Sequence, residues 1–306
     1  MSLAKKNIAK PSVHGWLILD KPKGLTSTQA LGKARRFVGG QKVGHCGTLD
    51  PLATGILPLA FGEATKLVPH VMDGDKEYDF TIRWGERRDT DDAEGKVIAT
   101  SANRPSMEAI QAILPRFVGQ VEQIPPIYSA IKVDGERAYD IARSGGELDL
   151  APRMVQVYDL QCFSTPTPDE ACFRVACGKG FYVRSLARDM AQTLGTVGHI
   201  TALRRTKVGV FTLNDAISLE NLGELCNKGD AQKAVLAIRR ALDDIPALVL
   251  TADEAQRLRR GQTIMIRPQY MDLMQAEVIF AEHQGVPVAM VEAKAGSFRV
   301  VRGFHF

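Results

Sequence analysis

"GHCGTLDPLATG", residues 44–55, holds three glycines, one acid, one histidine and one cysteine, with almost nothing to pack. Gly44, Gly47 and Gly55 supply backbone freedom for a sharply turning chain, and Pro51 pushes Asp50 out of helical geometry toward extended backbone. Two readings compete. Asp, Thr and Gly are ordinary turn formers, so composition alone makes the segment a plain connection. The other reading is a loop built to present one carboxylate, Asp50.

Its flanks are regular. GWLILDKPKG (15–24) reads as a short buried strand ending in a proline–glycine turn, and Thr26 or Ser27 caps a helix through TQALGKARRFV that stops at Gly39–Gly40. ILPLAF (56–61) reads as a second buried strand, and EATKLVPHVM as a helical segment interrupted by Pro69. In KEYDFTIRWGE, Tyr78, Phe80, Ile82 and Trp84 alternate with Asp79, Thr81 and Arg83, the period of a strand with one apolar face.

ERRDTDDAEGK, next along the chain, is expected to be a solvated hairpin loop. Its Asp89, Asp91 and Asp92 are candidate metal ligands, but no further carboxylate or His is spaced to close a shell, so no metal is expected. SMEAIQAILPRFVG is helical in period and ends at Gly119. QIPPIYSAIKVDGERAYDIARSGGE (123–147) then mixes Pro, Gly, aromatics and cations over a length that usually marks a functional loop. Tyr128, Lys132, Arg137, Tyr139 and Arg143 supply the chemistry that stacks bases and neutralises phosphates.

RMVQVYDLQC and ACFRVAC read as strands. They lead into GKGFYVRSLARDMAQTLG, a helix with Val183, Leu186, Ala187, Met190 and Leu194 on one face and with Tyr182 and Arg184 at its mouth. Arg204, Arg205 and Lys207 form a compact positive cluster, and DAQKAVLAIRRALDDIP is expected to be helical. After Pro246 a capped helix, TADEAQRLRRGQTI, and three strand-like runs suggest a small β-rich domain. The expected division is therefore 1–245, including a loop at 123–152, and 246–306.

The totals agree with a globular α+β protein: 306 residues, 45% of them hydrophobic, suffice for two domains and a sizeable core. No run reaches the length of a membrane-spanning helix, and no apolar signal region follows the N-terminal lysines, so a cytoplasmic protein is expected. Five cysteines without CxxC or zinc-type spacing suit free thiols in a reducing compartment. A net charge of +4 permits a nucleic-acid partner without demanding one.

Three stretches, GWLILDKPKGLTS, GHCGTLDPLATGILPLAFGEATK and CGKGFYVRSLARD, together resemble the TruB family of tRNA pseudouridine synthases. KEYDF, PPIYSAIKVDGERAY and ALRRT match in the same order, so the resemblance covers nearly the whole chain. It implies the pseudouridine synthase fold, a mixed, largely antiparallel sheet flanked by helices, with a small C-terminal domain of the PUA type that binds RNA. It also implies conversion of uridine-55 in the T arm of tRNA to pseudouridine, with no membrane partner and a single chain as the working unit.

By the same resemblance Asp50 is the catalytic aspartate, Tyr78 stacks on the target base, Tyr182 handles the proton and Arg184 pairs with Asp50. Leu203 is a pocket wall and His45 helps hold the flipped nucleotide. Lys21 in the opening motif joins Lys132, Arg137 and Arg143 as candidate RNA-binding residues. Cys46 and Phe181 depart from the family, where Thr is more usual.

The chemistry accounts for these residue types. Pseudouridine formation breaks the N-glycosidic bond, turns the base and joins C5 to the ribose without hydrolysis or redox, so it requires no cofactor. A carboxylate can attack C1′ or the base, or assist proton loss from C2′. Under a base it must stay ionised against desolvation, and a forked Arg opposite it does this better than Lys. A His45–Cys46 nucleophile is disfavoured because neighbours on extended backbone point opposite ways. Two rivals stand beside this reading: a non-catalytic tRNA-binding or RNA-remodelling protein on the same scaffold, and a metal-dependent phosphoryl-transfer enzyme built on the Asp89 cluster.

Overall fold

The structure, a computed structural model, describes residues 13–39, 42–129, 132–133, 136–137 and 150–306. The chain begins with β1 (Gly15–Lys21), α1 (Ser27–Val38), β2 (Val43–His45), β3 (Thr54–Phe61), α2 (Val68–Asp73) and β4 (Lys76–Trp84). A hairpin of β5 (Glu86–Arg88) and β6 (Val97–Thr100) follows, then α3 (Met107–Ile113), β7 (Gly119–Gln123) and a ribbon of β8 (Lys132–Val133) and β9 (Glu136–Arg137). Next come β10 (Arg153–Thr167), β11 (Glu170–Cys177), α4 (Val183–Thr193), β12 (Gly198–Val208), β13 (Phe211–Thr212), β14 (Ala216–Ser218) and α5 (Leu219–Asn227). The chain closes with β15 (Ala247–Val249), α6 (Ala252–Arg259), β16 (Ile264–Met265), β17 (Ile279–His283), β18 (Val286–Lys294) and β19 (Ser297–Gly303). No helix among the described residues is long and apolar enough to cross a membrane.

The large sheet runs β14-β1-β3-β12-β4-β11-β10-β7. Only β1–β14 and β3–β12 pair in parallel. The other pairs along the path are antiparallel, which makes this the mixed, largely antiparallel sheet expected. Alternation in β4 puts Phe80, Ile82 and Trp84 into the core. There they meet Phe173 and Val175 of β11, Leu57 and Leu59 of β3, and helix residues Ala34, Ile110, Leu186 and Met190. Phe80 and Phe173 stack at 5.2 Å. Each buried side chain of this size contributes about 2 kcal/mol against the entropy of ordering.

Helix ends follow the local chemistry. Thr26 caps α1 through a capping box with Gln29, leaving Ser27 free for other work, and Gly39 ends it at φ 84° in the left-handed region. Thr251 caps α6 in the same way with Glu254. Pro69 falls in the first turn of α2, where a missing N–H costs nothing.

Two expectations fail. The 230–246 stretch forms short 3-10 turns, Ala231–Ala234 and Ile238–Ala241, because backbone between them is claimed elsewhere. Trp16 and Leu236 exchange hydrogen bonds at 2.9 and 2.7 Å, and the Trp16 indole donates to the Ile238 carbonyl. Arg204, Arg205 and Lys207 form no single compact cluster either: they lie in β12, a central strand, where Arg205 is only 2% exposed while Lys207 is open to solvent.

The C-terminal strands form a separate sheet, β15-β17-β18-β19-β16, with its own apolar cluster around Leu248, Leu258, Ile279, Val291 and Phe298. Phe280, Met290 and Phe304 leave that cluster and enter a second one with Trp16, Ile18, Ile56, Ala60, Leu67 and Phe211, so the two sheets share a core. A polar clasp sits beside it. Lys66 donates to Glu63 at 2.6 Å and to the Gly303 carbonyl at 2.7 Å, and the His305 N–H donates to Glu63 at 2.7 Å.

Burial alone would raise the Glu63 carboxyl, but the hydrogen bonds from Lys66 and the His305 N–H outweigh it and hold the group below the ordinary range. A carboxyl depressed in the folded state adds stability that is present above its unfolded pKa and lost as pH falls through the folded one. The stability gap between the unaltered protein and Glu63→Gln, followed by urea unfolding, is therefore expected to narrow below about pH 4.3. A gap that stays constant with pH would show that the clasp contributes no linked charge.

Candidate active site

The loop carrying Asp50 is tied at both ends and in the middle. Gly47 and Gly55 take φ values of 85° and 95°, and a Cβ on Gly55 would lie 2.2 Å from the Arg205 carbonyl oxygen. Only glycine fits that approach. The Arg205 guanidinium donates to the carbonyls of Ile56 at 2.8 Å and Gly47 at 3.2 Å, closing the loop like a clip. Ser27, buried at the start of α1, both donates to the Leu49 carbonyl (3.1 Å) and accepts from the Leu49 N–H (2.8 Å). The Pro51 carbonyl accepts from the Gly24 N–H at 2.7 Å.

Into this frame α4 delivers Arg184, 5% exposed. Its Nη2 stands 3.0 Å from Asp50 Oδ2 and donates to the Tyr128 carbonyl at 2.8 Å. Its Nη1 donates to the Thr90 carbonyl at 3.1 Å and lies 3.9 Å from Asp92 Oδ2. The contact with Asp50 is thus single rather than forked: the guanidinium divides its donors between two carboxylates and two carbonyls. A buried cation needs this many acceptors to offset its lost hydration.

Electrostatics around Asp50 pull both ways. The side chain keeps 37% of its surface open. Surrounding protein nevertheless pushes its carboxyl above the ordinary range by desolvation, and Arg184 is the largest influence opposing that rise. Asp92 adds to it and Lys21 opposes it. Glu94 is likewise pushed up by burial and by Asp92 and Asp50.

The hairpin loop after β5 is not solvated as expected. Asp91 and Asp92 are 6% and 3% exposed, and the loop lies against α4. Arg188 reaches Asp91 at 3.4 Å, and Asp92 Oδ1 accepts from Thr90 Oγ1 at 2.6 Å and the Glu94 N–H at 3.0 Å. Among the described residues no three side chains form a metal-binding group.

Lys21 needs correcting. It is fully buried, and its ammonium donates to the carbonyls of Leu25 (2.7 Å), Pro22 (3.0 Å) and Pro51 (3.4 Å). Burial pushes its pKa down to about 8, with Asp50 and Glu94 opposing. An ammonium so enclosed offers no charge to a phosphate; it holds the backbone beside Asp50.

The aromatic candidates flank the loop. Tyr78 is half-buried in β4 opposite Arg205 of β12; burial raises its hydroxyl pKa, and the Arg205 guanidinium opposes this. Tyr182 precedes α4, its hydroxyl also raised by burial and opposed by Ser129 and Arg184. Leu203 is 9% exposed and lines a cleft of about 300 Å³ with Leu52, Thr54 and Lys23. His45 ends β2, paired with Leu59. Cys46 is fully buried, its thiol pushed up to about 12 by burial, and is inert as a nucleophile. The backbones of Lys132 and Arg137 pair in the β8–β9 ribbon, and Arg143 and Tyr139 lie outside the described residues.

Sequence reading named Arg205 and Asp92 but missed their place beside Asp50 and Arg184. The signal for Arg205 was available: adjacent Arg204 and Arg205 on one strand must point to opposite faces, so both cannot be surface charges on one patch. Arg204 indeed forms a forked ion pair with Asp20, at 2.8 and 3.0 Å. Asp92 gave no such signal, since its hairpin reads as polar throughout.

Comparison with known proteins follows from this geometry. Residues 35–183 match the family described as TruB family pseudouridylate synthase (N terminal domain), and residues 184–255 match the tRNA pseudouridylate synthase B C-terminal domain. A protein named tRNA pseudouridine synthase B from Bradyrhizobium diazoefficiens is 57% identical over 260 residues, 83% of this chain and 75% of its own. Its namesake from Caulobacter vibrioides is 49% identical over 299 residues, 96% of each chain. Another, from Sinorhizobium medicae, is 47% identical over 311 residues, 99% of each. Among solved structures, an H/ACA RNP bound to a substrate RNA containing 2′-deoxyuridine gives a TM-score of 0.73 at 20% identity, covering 96% of this chain and 86% of that one. At that identity the likeness shows a shared fold.

The Asp50 carboxyl is expected to titrate at higher pH in Arg184→Met than in the unaltered protein, because the largest influence opposing desolvation is gone. Carboxyl carbon shifts in the magnetic resonance spectrum measure this directly. An unmoved titration would mean that Arg184 does not govern the charge on Asp50.

Proposed function

The chain belongs to the TruB family of pseudouridylate synthases, and we propose that it isomerises uridine-55 in the T arm of tRNA to pseudouridine with Asp50 as the nucleophile. The observation that carries this reading is the Asp50–Arg184 contact of 3.0 Å, formed by residues from opposite halves of the chain. The names of its relatives supply tRNA as the substrate class. In this scheme the target uridine leaves its stack and Tyr78 supplies a replacement aromatic face. The Asp50 carboxylate, kept ionised by Arg184, attacks the sugar as the C1′–N1 bond breaks. The base turns, C5 bonds to C1′ as the Asp50–C1′ ester bond breaks and frees the carboxylate, the C5 proton departs with Tyr182 placed to handle it, and N1 regains a proton. Product and substrate are isomers, so the balance closes without a co-reactant.

In our reading residues 1–245 form the catalytic part and 246–306 a PUA-like grip on the RNA, with Lys132, Arg137 and Arg143 contacting it from the 123–152 segment. His45 and Leu203 shape the nucleotide pocket. Since Asp50, Tyr78, Tyr182 and Arg184 come from one chain, a monomer suffices, working in the cytoplasm.

Incubation with an unmodified T-arm hairpin, followed by nucleoside analysis, tests the activity. Asp50→Asn is expected to abolish pseudouridine while binding the hairpin nearly as well, because the amide keeps the shape and loses the nucleophile. Normal single-turnover formation by that variant would overturn the mechanism. Arg257, Arg259 and Arg260 are exposed around the end of α6. Replacing all three by Gln is expected to weaken tRNA binding and flatten its salt dependence by roughly 0.9 per lost phosphate contact, with the rate at saturating RNA unchanged. An unaltered salt slope would remove the small sheet from the RNA interface.

A further inference from the structure

We infer that Gln123 is a positioning residue for the reaction: its side-chain amide clamps the backbone of Tyr182 and so fixes the entry of the helix that carries Arg184. This rests on the reading of Asp50, Tyr182 and Arg184 as the reacting group. Gln123 is the last residue of β7 and is 2% exposed. Its Oε1 accepts from the Tyr182 N–H at 3.1 Å, and its Nε2 donates to the Tyr182 carbonyl at 3.3 Å. The pairing sets the amide orientation, since only one way round satisfies both groups.

Tyr182 is the residue where α4 begins, in extended backbone at φ −120°, and no side chain of its own caps the helix. An N–H at such an end has no partner within the helix and is costly to bury bare. Gln123 supplies the partner from a different strand. Tyr182 and Arg184 are two residues apart, so a tilt of this entry displaces hydroxyl and guanidinium together.

The chain after Gln123 continues the same task. The Ile124 carbonyl accepts from Ser185 Oγ at 2.7 Å and from Arg188 at 2.9 Å, and the Tyr128 carbonyl accepts from Arg184. A strap from 123 to 128 therefore binds four residues at the start of α4: Tyr182, Arg184, Ser185 and Arg188. Gln123 is its anchor, the one side chain in it that spans both polar groups of a single peptide position. A glutamine inside a strand-ending QIPP run gives no catalytic signal in sequence, because its role is defined only by what lies opposite.

The test compares Gln123→Leu, which keeps the volume and loses both bonds, with Gln123→Glu, which keeps the acceptor for the Tyr182 N–H. Single-turnover kinetics on the T-arm hairpin are expected to show kcat reduced about 10- to 100-fold in Gln123→Leu, with KM within about two-fold, the pattern of misplaced reacting groups. In Gln123→Glu the carboxylate repels the Tyr182 carbonyl, and Arg153, its cross-strand neighbour, and Arg184 favour that ionised form. Protonation turns it into a mimic of the amide. Its activity relative to the unaltered protein is therefore expected to rise as pH falls, while that of Gln123→Leu stays low.

An unchanged kcat in Gln123→Leu, or a raised KM alone, would overturn the positioning role. If Gln123→Leu does not fold, a Gln123→Glu profile parallel to that of the unaltered protein would overturn it instead. Failure of the unaltered protein to form pseudouridine would count against the function itself and not against this clamp.

Discussion

A guanidinium withdrawn from water must find an acceptor for nearly every donor, and Arg184 organises the surrounding structure through that demand. Its partners come from three separate places: the Asp50 loop, Asp92 and Thr90 in the β5–β6 hairpin, and Tyr128 in the strap after β7. Each brings its own backbone constraint. The hairpin must fold inward rather than reach into solvent, which is why two of its acids are buried. A buried ion pair of this kind is weak evidence for stability, since desolvation offsets attraction. Its effect is to hold one carboxylate in place and to oppose the rise that desolvation imposes on it.

The Asp50 loop is held by side chains that bond its backbone and not its carboxylate. Ser27, Lys21 and Arg205 together occupy carbonyls of Gly47, Leu49, Pro51 and Ile56. Two of these anchors are buried cations, and one of them, Lys21, also opposes the rise of the Asp50 carboxyl. The cost is visible in the pKa of Lys21, driven down by its own burial. Glycines at 47 and 55, free to take positive φ, let the backbone come close enough for these bonds to form.

The small sheet is bound to this arrangement more tightly than a tethered module. Phe280, Met290 and Phe304 pack against Trp16 and Ile18 of β1, Ile56 and Ala60 of β3 and Val71 of α2, beside the Trp16–Leu236 pairing. Any RNA held by the small sheet would then be presented at a fixed distance from Asp50, because shared packing transmits geometry that a linker would lose.

How much was legible in sequence depended on the range of the interaction. Period-two runs such as KEYDFTIRW and capping boxes at Thr26 and Thr251 are local, so strands and helix ends could be read directly, as could a glycine-rich loop presenting one acid. Resemblance to a family supplied the partnership of Asp50 with Arg184. Local pattern misled where a distant group took the backbone, as Trp16 did at Leu236, or where polar residues were buried beside partners far along the chain, as with Asp92 at Arg184 and Arg205 at Gly47 and Ile56. The sequence by itself determined most of the strands and helix ends and the loop that presents Asp50, since periodicity and turn chemistry act within a few residues. Tertiary structure alone decided which charges are buried and what holds them, because hydrogen bonds between segments more than a hundred residues apart leave no periodic trace.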